Sequence, residues 1–318
     1  MRFCLMIEGQ EGITWEQWGR LAEVCERSGL EGLFTSDHYL SVVGAAGRGS
    51  FDAWTVLAGL AARTARLRLG TLVSPVTFRH PTVLAKVATT VDHISGGRAE
   101  VGLGAGWWAE EHRTHGFPFP RDTDRMAMLE EQVEIVHRLL SPEEDEVSFD
   151  GRYYRLDRCA FAHRPLQRPH PPIIVGGKGG PRMARLVARW ADEFNTVGGT
   201  PAEVRERFGR VRDAVEAAGR DQASLTTSLM TWCYVGADER ELEARLRAAH
   251  ALDPSAGTFD DWLDDVSRDC IVGTPERAAE RLAEYAEAGV QRVFLNHELF
   301  DDLAMVELLA AEVVPRVP

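Results

Sequence analysis

Apolar residues follow two alternating rhythms along this chain. Short, nearly continuous runs at 2–7 (RFCLMI), 32–36, 67–73, 98–104, 172–177, 193–197, 225–235 and 291–295 read as buried strands. Between them the apolar positions recur at helical spacing, as in Trp15, Trp18, Leu21, Ala22 and Cys25, closed by Gly29 as a C-cap. Helices are expected over 15–28, 51–63, 81–94, 122–140, 181–190, 201–218, 238–250, 275–288 and 302–314. Strand, helix and strand joined by short links imply parallel pairing with both faces of the sheet covered. About eight strands and at least eight helices fit an α/β architecture, a single (β/α)8 TIM barrel over 1–318. An open doubly wound sheet is the runner-up.

The rhythm breaks once. Trp107 to Pro120 reads as a long aromatic and His-containing loop, and residues 141–171 carry an acidic run and then Asp150-Gly151 between alternating residues, a hairpin signal. We read about 107–171, after the fourth strand, as an insertion into the barrel, too short to own a core.

The organising unit is Leu67 to His112, a βαβ crossover whose strand ends are crowded with Gly, Thr, Ser and Pro. Such residues suit close approach of backbone to a flat ligand. In a barrel, chemistry belongs at the C-terminal ends of the strands. Asp37-His38 ends the second strand there. His38 either handles a proton with Asp37 orienting its ring, or packs at the base of a loop that Asp37 caps. Gly102-x-Gly104-x-Gly106 lacks the strand–turn–helix placement of a dinucleotide fingerprint, and its glycines are read as close-approach positions beside a planar ring. Ile173 to Pro181 runs from a strand through Gly176-Gly177-Lys178-Gly179-Gly180 into a helix that starts with Pro. Free amides there, with Lys178 beside them, suit a phosphate; a tight strand–helix turn is the plain alternative.

Composition narrows the classes. A formal charge of −13 argues against general nucleic-acid binding. Only Lys86 and Lys178 are lysines among 36 basic residues, so an Arg at any one site carries little weight. No apolar run approaches the roughly 20 residues of a membrane span. The five cysteines are scattered without a CxxC, which points to a reducing, cytoplasmic setting and to neither disulfides nor zinc. His112 and His115 with Glu110 and Glu111 lack a second His cluster at another strand end, so no metal is expected. Glu110 and Glu111 read as helix N-terminal carboxylates, or as relay groups. Trp107 and Trp108 either wall an aromatic pocket or belong to core or interface.

Taken together, LFTSDH (33–38), LGTLVS (69–74), FRHP (78–81), SGGR (95–98), GLGAGW (102–107), IVGG (174–177), ADEFN (191–195) and VGTP (272–275) resemble the bacterial luciferase-like monooxygenase superfamily, in its branch of deazaflavin (coenzyme F420)-dependent oxidoreductases. The motifs span nearly the whole chain in order. The resemblance implies a flavin-like ring at the C-terminal mouth, backed at Leu72-Val73 by a bulge with a non-proline cis peptide. It implies His38 near the hydride-accepting atom with Asp37 beside it, and cofactor contacts from Ser36, Thr71, Leu72, Val73, Gly104, Ala105, Gly106, Trp107, Gly176, Gly177, Lys178 and Gly179. Glucose-6-phosphate dehydrogenases of the family carry an acidic residue where this chain has Trp107-Trp108, a departure that argues against that activity.

The leading expectation is hydride transfer between F420 and a small organic substrate. The alternative is an FMN-dependent monooxygenase supplied by a partner reductase, whose oxygen chemistry requires a shielded pocket. A non-catalytic flavin-binding protein is the third reading. The polyanionic deazaflavin tail demands a local basic groove, for which Arg79, Lys178 and Arg182 are the candidates. A homodimer is expected from the resemblance.

Overall fold

The computed structural model describes residues 1–44 and 47–318; Ala45 and Ala46, in the Gly/Ser-rich loop expected at 40–50, lie outside the described residues. Strands β1 (Arg2–Ile7), β2 (Gly32–Thr35), β3 (Arg68–Thr71), β5 (Ala99–Gly104), β8 (Ile173–Gly176), β9 (Glu193–Val197), β10 (Thr226–Val235) and β12 (Arg292–Asn296) pair in parallel in that order. Pairing of β12 with β1, Arg2 opposite Arg292, closes the ring. The (β/α)8 barrel expected from the sequence is the fold.

Side chains alternate along each strand, so the apolar runs divide into two cores. Cys4, Met6, Phe34, Leu72, Ile174, Met230 and Phe294 fill the inside of the barrel. The intervening residues, such as Leu5, Leu33, Val101, Val175 and Leu295, face outward and pack under the helices. The first helix, α1 (Trp15–Ser28), shows why the helices start where they do: Thr14 and Gln17 form a reciprocal capping box, and Gly29 ends it at φ 80°.

Charge is buried at the N-terminal end of the barrel. Arg292, 1% exposed, donates to Glu100 at 2.7 Å and Glu193 at 3.0 Å. It also pairs with Glu31 at 2.9 Å, and its guanidinium lies 5.0 Å from the Phe34 ring centroid and 4.9 Å from that of Phe294. This floor lies opposite the mouth where chemistry is expected.

Three local differences from the sequence reading have identifiable causes. The third strand is not continuous: β3 stops at Thr71, the Leu72–Val73 peptide is cis, and a two-residue β4 (Ser74–Pro75) resumes pairing with β5. The expected loop after β5 contains a helix, α4 (Ala109–His115), with Glu110 and Glu111 in its first turn and Gly116 closing it at φ 72°. The stretch 251–270 contains α9 (Phe259–Asp269), capped by Thr258, before a short β11 (Ile271–Gly273). Phe259, Trp262, Leu263 and Val266 do follow helical spacing there, but the helix's five aspartates dilute the pattern. The hairpin forms as expected, from β6 (Glu146–Asp150) and β7 (Arg155–Ala160). No helix among the described residues is long and apolar enough to cross a membrane.

Candidate active site

His38 stands just beyond the end of β2, at the C-terminal mouth. Its Nδ1 lies 2.9 Å from Glu111 Oε2, and the Glu111 side chain is fully buried. The other oxygen of Glu111 accepts from the backbone amides of Tyr39 and, at 3.2 Å, Leu40. That carboxylate therefore locks the loop after β2 and sets the ring of His38 with Nδ1 as donor. Nε2 has no partner among the described residues. Burial alone would pull the His38 pKa down, but the hydrogen bond and charge of Glu111, helped by Glu8 and Asp37, outweigh it and hold the pKa above the ordinary value. Glu111, despite its burial, is held below the ordinary carboxylate range by His38 and the two amides.

The sequence reading assigned the orienting role to Asp37. The structure assigns that hydrogen bond to Glu111 instead. Asp37 is buried and accepts from Ser74 Oγ at 2.5 Å and from Arg79, whose other nitrogen pairs with Asp52 at 2.6 Å. Ser74 Oγ also accepts from Trp54 Nε1 at 3.0 Å. Asp37 thus ties the end of β2 to β4 and to the N-cap of α2 (Ala53–Ala61). Adjacency in sequence misled because consecutive residues at a strand end point to opposite sides.

The glycines at the C-terminal ends of β5 and β8 have a specific cause. A Cβ on Gly102 would meet the Thr71 carbonyl oxygen at 1.9 Å, and one on Gly104 would meet Val73 Cγ2 at 2.5 Å. Gly176 approaches Val73 Cγ1, at 3.0 Å from where its Cβ would be. These positions are empty so that the Leu72–Val73 bulge can fit, a correction to the reading of the motif as clearance for a ring alone. Leu72, Val73, Gly104, Ala105, Gly106 and Gly176 are brought together on one side of the mouth. Trp107, 62% exposed, stacks on Trp108 with centroids 5.9 Å apart and stands edge-on to His38 at 5.9 Å. Ser36 and Thr71 are also there, but their hydroxyls are spent on protein partners: Ser36 on Gln10 and Gly9, Thr71 on Gly102 and Ser74.

The turn from β8 into α6 (Pro181–Trp190) has the form of an anion cradle. Gly180 is an N-cap without a side-chain bond, and the amides of Gly180, Arg182 and Met183 take no acceptor among the described residues. Gly179 turns at φ 65°, where a side chain would be strained, and Lys178 is exposed beside it. The other two cations expected for a basic groove are not free. Arg79 is held by Asp37 and Asp52, and Arg182 is bidentate to Glu130 at 2.6 Å. His112 is occupied by Thr77 at 2.6 Å and the Trp108 carbonyl at 2.7 Å. Among the described residues no group of three or more His, Cys, Asp and Glu is placed to hold a metal.

A closed parallel barrel with a carboxylate-held His, a bulged third strand and a glycine-rich helix start at its C-terminal mouth is the architecture of a barrel oxidoreductase. Residues 1–292 match the luciferase-like monooxygenase family, and the chain belongs to it. It is 31% identical to the F420-dependent glucose-6-phosphate dehydrogenase of Nakamurella multipartita, over 93% of this chain and 91% of that one. It is 26% identical to the FMNH2-dependent dimethylsulfone monooxygenase of Pseudomonas putida, over 94% and 86%. The monooxygenase RslO1 from Streptomyces bottropensis superposes with a TM-score of 0.85 at 26% identity, over 99% of each chain.

Proposed function

We propose that this protein is an F420-dependent oxidoreductase that moves a hydride between the deazaflavin and an organic substrate, with His38 Nε2 giving or taking the accompanying proton. The observation that carries this reading is the His38–Glu111 pair: one ring nitrogen fixed on a buried carboxylate, the other unpartnered at the mouth. Hydride transfer to or from an alcohol, amine or carbonyl carbon needs such a proton partner close by. The residues that would hold the cofactor fit it: the Leu72–Val73 bulge and the side-chain-free glycines around it back one side of the mouth, and the amides of Gly180, Arg182 and Met183, unpaired among the described residues, suit a phosphate with Lys178 beside them. When bound, the deazaflavin supplies a two-electron hydride carrier. The protein's own part is to hold the proton at Nε2, with Glu111 favouring the imidazolium. The F420-dependent relative at 31% identity supports the same reading.

FMN-dependent oxygenation by a two-component system is the second reading. Pairing of Arg79 and Arg182 with carboxylates favours it, since a single phosphate needs fewer cations than a polyanionic tail. Against it, Trp107 stands 62% exposed at the mouth, whereas oxygen chemistry on reduced flavin requires a pocket shielded from water. Titration with oxidised F420 and separately with FMN, followed by Trp fluorescence and cofactor absorbance, tests the choice. Binding of F420 at least about tenfold tighter, a difference of roughly 1.4 kcal/mol, is the expected result. The reverse order would establish the flavin reading, and binding of neither would sink the cofactor assignment.

A further inference from the structure

The mouth of the barrel divides into two halves. The residues named above for the cofactor come from the ends of four adjacent strands: β2, β3, β5 and β8. The other four, β9, β10, β12 and β1, open onto a separate cavity of about 1160 Å³ that is roofed by α8 (Glu239–His250), α9 and the loop carrying Arg48. This is ample for an organic molecule. Trp232 and Tyr234 rise from β10 and Trp262 from α9, with the Tyr234 and Trp262 rings edge to face at 5.7 Å.

The charges of this cavity are one-sided. Its three guanidinium groups are already neutralised by carboxylates of the same wall: Arg48 by Glu11 at 2.9 Å, Arg245 by Asp302 at 2.6 Å and Glu241 at 2.7 Å, and Arg268 by Asp265 at 3.0 Å. No lysine or histidine lines it. Glu298, just beyond the end of β12, has no cationic partner among the described residues. Its oxygens accept from Trp232 Nε1 at 2.8 Å and Tyr234 Oη at 2.7 Å, which aims the carboxylate among the aromatic rings and leaves it lone pairs to spare. Burial raises its pKa, the two donors oppose that, and the charges of Glu8 and Glu11 add to the rise. A positive ligand would relieve this accumulation of negative charge.

We infer that this cavity selects an organic cation, a protonated or quaternary amine whose positive nitrogen sits on Glu298 against Trp232, Tyr234 and Trp262. An aromatic wall around a carboxylate is the arrangement that desolvates and holds an ammonium group. An anionic substrate such as a sugar phosphate would meet excess carboxylates and no unpaired cation, so the activity named for the Nakamurella relative is disfavoured here. The identification of the cation as substrate rests on the function proposed above; its binding does not.

The test uses the full chain and three probes of one shape: benzylamine, benzyl alcohol and benzoate. Affinities are read from Trp fluorescence in wild type, Glu298→Gln and Glu298→Asp, with thermal unfolding confirming that each variant is folded. Benzylamine should bind at least about tenfold tighter than the other two in wild type. Glu298→Gln should erase that preference and Glu298→Asp should retain part of it. Equal or tighter binding of benzoate, a preference that survives in Glu298→Gln, or no benzylamine binding in the millimolar range would each overturn the inference. The same series run after the F420 and FMN titrations separates the two questions, since an amine preference without binding of either cofactor upholds this site and refutes the cofactor reading.

Discussion

His38 and Glu111 are 73 residues apart in sequence and 2.9 Å apart in space, and the carboxylate of Glu111 also ties down the two amides that follow His38. One buried group therefore sets both the orientation and the charge of the ring at the mouth. The relationship gives to Glu111 the orienting role expected of Asp37, and it yields the first two predictions.

Replacing His38 with Asn should lower turnover about 10²–10⁴-fold, the range for loss of a positioned acid or base, while cofactor affinity changes little. Single-turnover kinetics beside a binding titration would separate these. Unchanged turnover would place the proton transfer elsewhere.

Glu111→Gln should move the pH dependence that reports His38 toward acid. With Glu111 ionised the folded His38 pKa stands above the ordinary value, so the contribution of the charged His38 to stability is lost as pH rises through that folded pKa, while that of Glu111, whose pKa is depressed, is lost as pH falls through its own. Once the carboxylate is removed, burial dominates and the pKa falls. The pH profile of kcat/KM shows the displacement of the limb, and NMR titration of the ring checks it independently. Asp37→Asn should shift that limb much less, because Asp37 acts on His38 only through space.

Asp37→Asn should instead destabilise the fold. It weakens the charged bond from Arg79 and the bond from Ser74 in a buried site, which costs about 1–3 kcal/mol. Urea unfolding measures this.

A methyl at residue 104 would collide with Val73, so Gly104→Ala should cost about 1–3 kcal/mol and weaken cofactor binding. Pairing it with Val73→Ala frees the space and should recover much of the stability. A double-mutant cycle with no coupling would contradict the explanation of the glycine pattern.

Arg292→Met should be the most damaging of these changes, at about 3–5 kcal/mol, because it leaves buried Glu193 without a cation and Glu100 and Glu31 with only Arg68 and Arg2. Adding Glu193→Gln should recover part of that loss by removing one uncompensated charge.

Much of the fold is legible because the barrel strands are buried on both sides and so read as unbroken apolar runs. The gap in β3 is not legible: residues 67–73 look like one strand, and only the neighbouring glycines at 102, 104 and 176 hint that something there needs room. The helices α4 and α9 leave little helical signal in the sequence, each for its own reason. In α4 the only apolar residue is Ala109, so there is no apolar period to read, and in α9 acidic residues dilute it. At the site, His38 and the turn at 176–180 announce themselves by their place at strand ends. Glu111 stands out only as one of the pair Glu110-Glu111, read as relay groups or plain helix-start carboxylates, and nothing local tells which of the two meets His38. Glu298 carries no signal at all, and its meaning comes from Trp232, Tyr234 and the unpartnered cavity around it.

The sequence by itself determined the barrel, the end of it that faces chemistry, the family motifs and the candidate residues on single strands. These depend on periodicity and on local turn geometry, which act over a few residues. Only the tertiary structure decided which carboxylate meets His38, that Asp37 serves Arg79 and Ser74, that two of the three expected cations are neutralised, and that the far half of the mouth is acidic and aromatic. Those are encounters between elements distant in the chain, fixed when closure of the ring brings eight strand ends into one circle, and no local pattern encodes which side chains will then face one another.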